Sequence, residues 1–300
     1  MTYIDVGKVV RTRLGEEKSL QESSDDLDWR NPMWGKGKRC AVMLCFDFDA
    51  ESLWIATNLT TPSVMSRGEY GDRVGVPRVL SLLERYSVKA TFFVPAETAR
   101  RHPDTVKLIY QKGHEIAHHG DIHESPVKLG VDEEKRVLTT GLETLEKLTG
   151  ERPRGYRSPA WDLGPNSIRL LQEYGFLYDS SMMGDDFHFY KVREKDKETN
   201  LVEVPVSWEL DDAPHFLFTF SPVYFSGMAA PSKVYEIWTA EFEGAYSCGG
   251  AFVLTMHPQI MGRYHRTKML EQLIEHILGH EKVWFTTCTE AVMDWLSKQK

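Results

Sequence analysis

From Cys40 to the C-terminus, short β-branched and apolar runs alternate with longer stretches in which apolar residues recur every three or four positions. The runs CAVMLCFDFD, KATFFVP, HEIAHH, GYRSP, LVEVPVSW, AFVLTMH and VWFTT have the composition of strands. Between them the spacing predicts helices over 76–86, 103–112, 131–148, 165–174, 232–245, 264–278 and 288–298. The third shows the rule: Leu138, Leu142, Leu145 and Leu148 form one apolar stripe that a sheet would bury. Strands alternating with helices predict an α/β fold on a mostly parallel sheet, and about seven such units predict a barrel-like arrangement. Before Cys40 the pattern is lost. QESSDDLDWRNPMWGKGKR mixes Pro, Gly and both charges without periodicity. Residues 1–38 therefore read as an arm packed on a domain of residues 39–300, with Trp29 and Trp34 as anchors on this chain or on a neighbouring subunit.

Composition narrows the partners. Three hundred residues at 41% hydrophobic suffice for one large domain or two modest ones. The formal net charge of −8 argues against nucleic acid or an anionic membrane, since both are bound through clustered Lys and Arg. Cys40, Cys45, Cys248 and Cys288 lack the paired short spacing of a zinc ribbon and the density of a disulfide scaffold, so free thiols are expected. The N-terminal stretch has no apolar signal core, and no run approaches the ~18 apolar residues of a membrane span. The expected location is cytoplasmic, with no membrane partner.

Polar residues gather where the strands stop, the face on which parallel α/β folds assemble their sites. In MLCFDFDAES, strand alternation turns Asp47 and Asp49 to one side, their Cα atoms roughly 7 Å apart. Such carboxylates repel unless a cation or a shared proton relieves them, although a lone D-x-D at a strand end also reads as solvated. GHEIAHHGDIHESP adds His118, His119 and His123, and the H-x-x-x-H spacing of the last two brings both rings round one ion if the segment turns. Two histidines and one carboxylate leave a coordination position open, as catalytic centres do. Zinc suits this donor set, and so do cobalt, manganese or iron. Hydrolysis then needs a base, for which Asp47 serves, and an acid, for which His257 in LTMHPQIMGR serves unless it is structural. In GYRSPAWDLGPNS, Arg157 either holds Asp47 ionised or is a solvated charge, and Trp161 either walls a pocket or fills the core.

FDFDAE, HHGDIH, RSPAW and LTMH, in that order, resemble the motifs of the NodB-homology polysaccharide deacetylases, from about Arg39 to the C-terminus. The resemblance implies a distorted (β/α)7-type barrel and metal-dependent hydrolysis of a non-peptide C–N bond, usually an N-acetyl group on a sugar. It also implies roles by position: Asp47 as catalytic base, Asp49, His119 and His123 as metal ligands, Arg157 as partner of the base, and His257 as general acid. The family's commoner first motif has adjacent aspartates followed by Gly; here Phe48 separates them and Ala50 follows. This D-x-D form resembles a cytosolic subgroup with allantoinase-like, cyclic-imide-hydrolase-like and peptidoglycan-deacetylase-like members, often tetrameric, which implies a homo-oligomer. The aspartate-tryptophan pair of the fourth motif is not evident in YDSSMMGDD, leaving Glu203 and Asp179 to orient His257. The expected substrate is a small amide, imide, ureide or N-acetyl sugar, with NLTTPSVMSRGEYGDRVG and DDFHFYKVREKDKETN as lids or subunit contacts. The alternative is a non-catalytic metal-binding or regulatory domain on the same scaffold.

Overall fold

The computed structural model describes residues 33–299 with the exception of 36, 220–223 and 226–227. Trp29 and most of the expected arm lie outside the described residues. The strands are β1 (Cys40–Asp47), β2 (Thr91–Val94), β3 (Glu115–His118), β4 (Gly155–Tyr156), β5 (Tyr178–Asp179), β6 (Tyr190–Glu194), β7 (Lys197–Glu203), β8 (Phe218–Thr219), β9 (Tyr224–Phe225), β10 (Ala251–Met256) and β11 (Val283–Phe285). β10, β1, β2, β3, β4, β5, β7 and β6 lie side by side in that order. Every pairing along this path is parallel except the β6–β7 hairpin. β11 pairs with the start of β1, while β2 pairs with its end. Among the described residues no ladder joins β10 to β6, which is the sense in which the barrel is distorted. Ala251 N donates to Phe187 O across that gap at 2.8 Å. Trp34 is fully buried beside it, donates its indole N–H to Gly250 O at 2.9 Å, and packs edge-on against Phe189 and Trp284.

Both faces of β1 are buried, as a parallel strand under helices requires. Cys40, Val42, Leu44, Phe46 and then Phe48 face a large cluster shared with the outer helices. Ala41, Met43 and Cys45 face an inner cluster with Phe93, Ala117 and Tyr178. Asp47 and Asp49 continue the inner parity, so the period of two delivers both carboxylates to the barrel interior while Phe48 serves the core.

The expected helices form at Val76–Arg85, Pro103–Gln111, Val131–Thr149, Ser167–Glu173, Pro231–Cys248, Tyr264–Leu278 and Cys288–Lys298. In Val131–Thr149, Leu138, Leu142 and Leu145 are buried, each stabilising by roughly 1.5–3 kcal/mol. Gly150, at φ 79, ends this helix in the left-handed conformation that favours glycine. Neither expected lid is a structureless loop. The stretch after β1 forms a helix at Pro62–Tyr70 and one π turn at Gly71–Gly75, where an added Cβ on Gly75 would lie 2.2 Å from Pro258 O. The later stretch is largely the β6–β7 hairpin at the sheet edge. No helix among the described residues is long and apolar enough to cross a membrane.

Candidate active site

Each expected site residue lies at or just past the C-terminal end of a parallel strand. Asp47 ends β1, His119 follows β3, Arg157 follows β4 and His257 follows β10. Arg157 is fully buried and each of its three guanidinium nitrogens donates a hydrogen bond. Nη1 donates to Asp47 Oδ1 at 2.8 Å, Nε to Ser180 O at 3.0 Å and Nη2 to Ser180 Oγ at 2.8 Å, with the guanidinium 4.0 Å from the Phe93 ring centroid. The solvated reading of Arg157 is thereby excluded. Burial would raise the Asp47 carboxyl, but Arg157, with His257 beyond it, outweighs burial and holds it below its ordinary value. Because Arg157 occupies Oδ1, Asp47 keeps Oδ2 for chemistry, 3.8 Å from His119 Nε2.

His119 and His123 meet without a helix. Gly120 (φ 78) and His123 (φ 69) turn the chain left-handed, and the Glu124 carboxylate accepts from Ile122 N at 2.7 Å. The His119 Nδ1–H donates to Arg157 O at 2.7 Å, so its Nε2 carries the lone pair and points inward. His119 Nε2 and His123 Nε2 lie 3.5 and 3.9 Å from Asp49 Oδ1. Burial holds both imidazoles neutral, His123 down to about 3. Asp49 Oδ1 is buried and has no hydrogen-bond donor, while Oδ2 accepts from Gln259 Nε2 at 3.3 Å. Burial pushes the Asp49 carboxyl up to about 7, against the pull of His257 and with the nearby Asp47 adding to the rise. Two imidazole nitrogens close to one orphaned carboxylate oxygen fit a divalent cation. His118, third of the histidine cluster, points away: its Nε2 bonds Leu138 O at 3.2 Å, and its ring packs on Tyr156 and Phe176.

His257 is oriented by a residue that sequence reasoning missed. Its Nδ1 bonds Asp212 Oδ1 at 2.7 Å and its backbone N–H donates to Asp212 Oδ2 at 3.0 Å, leaving Nε2 3.7 Å from Asp49 Oδ2. Burial disfavours imidazolium, yet Asp212, then Asp211 and Asp49, raise the His257 pKa well above its ordinary value. The expected orienters, Glu203 and Asp179, are engaged elsewhere. Glu203 Oε1 accepts from Ser181 N and Met182 N, each at 2.9 Å, and Asp179 Oδ1 accepts from Ser181 Oγ at 2.8 Å. They brace the turn that presents Ser180 to Arg157. The only local signal for Asp212 is its place in LDDAP, where Asp211 caps a short helix by accepting from Ala213 N at 2.7 Å.

Asp47, Asp49, His119, His123 and His257 border one cavity of about 260 Å³, whose apolar walls include Leu53, Trp54, Leu59, Trp208 and Leu217. Trp161 stacks on Trp208 with ring centroids 4.4 Å apart, so it is a pocket wall. Ala160 and Trp161, at φ 55 and 54, sit in the left-handed region, strain of the kind that collects at functional sites.

Residues 37–178 match the family model for polysaccharide deacetylase. The peptidoglycan deacetylase of Helicobacter pylori is 32% identical over 286 residues, covering 87% of this chain and 98% of the relative. A Mycobacterium smegmatis structure assigned to the polysaccharide deacetylases is 40% identical, with a TM-score of 0.84 over 89% of this chain and 93% of its own. An allantoinase structure is 25% identical, with a TM-score of 0.77 over 89% of this chain and 93% of its own. With identity of this extent over nearly the whole length of its relatives, the chain belongs to the polysaccharide deacetylase family and is a hydrolase of carbon–nitrogen bonds other than peptide bonds.

Proposed function

We propose that the chain is a metal-dependent hydrolase of a compact amide, an acetamido group on a small sugar or a cyclic imide or ureide, with Asp47 as base and His257 as acid. The observation that carries this reading is the division of labour round one cavity: Asp47 held by Arg157, the donor atoms of Asp49, His119 and His123 converging on one another, and His257 held by Asp212. Asp49 Oδ1, His119 Nε2 and His123 Nε2 would hold the ion, with zinc favoured by two imidazoles and one carboxylate. When bound, a divalent ion supplies Lewis acidity that polarises the carbonyl and makes water a stronger acid.

The residues do the remainder. Asp47 Oδ2 takes the proton as water oxygen bonds to the carbonyl carbon, and Arg157 holds that carboxylate in place throughout. The His257 Nε2–H then passes its proton to the nitrogen as the C–N bond breaks, and Asp212 stabilises the imidazolium until that moment. Trp161, Trp208 and Leu217 form apolar walls that limit bulk solvent around the attacking water and favour an acyl group or a flat ring over a long glycan. The names of the relatives support both ends of this class, deacetylase for one and allantoinase for another.

A screen over N-acetyl sugars, hydantoins, succinimide-like imides and allantoin, with and without chelator, tests the reading. Release of amine or opened ring that chelation abolishes and zinc restores is the expected outcome. Turnover indifferent to chelation, or none across the panel, would remove it.

A further inference from the structure

A second cluster of metal-binding side chains lies on the outside of the fold, away from the catalytic cavity. His276 sits in the last turn of the helix Tyr264–Leu278, His280 lies two residues beyond its end, and Glu243 faces them from the helix Pro231–Cys248. Glu243 Oε1 lies 2.8 Å from His276 Nε2 and 3.1 Å from His280 Nε2. Donor atoms of all three residues fall within 4.8 Å of one another.

Two facts argue for more than an ordinary ion pair. The Nδ1–H of His280 donates to His276 O at 3.0 Å, so a neutral His280 presents a lone pair, not a proton, to the carboxylate oxygen. Both imidazoles also converge on the same oxygen with ring centroids 5.0 Å apart, where two imidazolium charges would repel. One divalent cation between the three acceptors satisfies them all. The edge of a tetrahedron with ~2.0–2.1 Å bonds is roughly 3.3 Å, so the 3.1 Å separation is already close to it and the 2.8 Å one needs the exposed Glu243 side chain to move by about half an ångström. Edge-on contacts of Phe242 and Tyr246 with His280, at 5.0 and 4.8 Å between centroids, fix that ring. The three side chains are 44, 30 and 22% exposed for Glu243, His276 and His280, so an ion can enter and water can complete its coordination.

We propose that Glu243, His276 and His280 form a second, non-catalytic site for a zinc-like transition-metal ion that clips the two helices together. Two imidazoles with one carboxylate select such an ion over calcium or magnesium, which prefer all-oxygen shells.

The test uses the full, untagged, chelator-treated chain. In His119→Ala/His123→Ala protein, calorimetric titration with zinc is expected to find one equivalent, and zinc is expected to raise Tm by roughly 3 °C. Adding His276→Gln and His280→Gln is expected to abolish both. In the otherwise native chain, the two glutamine substitutions are expected to cut bound zinc from two equivalents to one and leave hydrolysis within twofold. This second comparison decides the matter if the alanine variant fails to fold. Zinc uptake that the glutamine substitutions leave unchanged, in the native or the alanine background, would overturn the proposal, whereas a native count of one that these substitutions cut to zero would still support it.

Discussion

Replacing Arg157 by Met retains a flexible apolar side chain but removes a buried cation, and its contact over the Phe93 ring, from the centre of the site. Three hydrogen bonds disappear, one to Asp47 and two to Ser180. The larger loss is at Asp47, left buried without its partner, for which breaking a buried pair costs about 3–5 kcal/mol. Ser180 O loses its donor, worth ~1–3 kcal/mol, whereas Ser180 Oγ still donates to Val204 O at 2.9 Å. A total of about 4–8 kcal/mol would consume much of the ~5–15 kcal/mol that holds a typical domain folded. Urea unfolding of the chelated protein measures it free of any contribution from a bound ion. The double variant Asp47→Ala/Arg157→Met should recover at least ~1.5 kcal/mol relative to additivity, because no charge is then stranded. Destabilisation below ~1 kcal/mol, or strictly additive single variants, would refute the claim that this pair is a mutually dependent buried unit.

Three further outcomes follow from the same coordinates. Asp212→Asn should lower kcat by roughly 10²–10⁴ with bound metal unchanged, since it weakens the group that holds the His257 proton; kinetics with metal analysis checks both. His102 is raised to about 9, burial opposing and Asp72 and Glu51 prevailing, with Nε2 2.7 Å from Glu51 Oε2. Its contribution is therefore full below about pH 6.5 and lost as pH rises through the folded value, so the Tm deficit of His102→Gln should be largest near pH 6 and vanish by about pH 10. Gly141→Ala would place a Cβ 2.0 Å from His118 Nε2 and should cost ~1–3 kcal/mol or more in thermal unfolding, though the residue touches no catalytic group.

What the sequence disclosed depended on whether a residue's task leaves a local pattern. The strand period fixes the shared face of Asp47 and Asp49, and H-x-x-x-H pairs His119 with His123 once a turn is granted. His118 shared the cluster without sharing the task, because its direction is set by strand parity and by the space that Gly141 leaves. Asp212 left no such trace. A single parallel bridge, Asp211 to Thr255, brings it to His257 from 45 positions away, and no periodicity records that contact. The helix Pro62–Tyr70 was equally hidden, since PSVMSRGEY is mostly polar and buries little beyond Gly68. Trp34, expected to anchor an arm packed on the domain, is buried in the body of the fold, held by its indole bond to Gly250 and by edge-on contacts with Phe189 and Trp284, partners that lie far away in sequence and leave no local pattern.

The central claim, that one carboxylate of the D-x-D pair takes a proton while the other helps hold an ion, is tested most directly by Asp47→Asn. Zinc-loaded crystals would be examined by anomalous diffraction alongside amine-release assays on the best substrate from the screen. The account predicts an undiminished peak between Asp49, His119 and His123 with no release above background. Turnover at the native rate in this variant, or no peak among those three residues in the native chain, would contradict it.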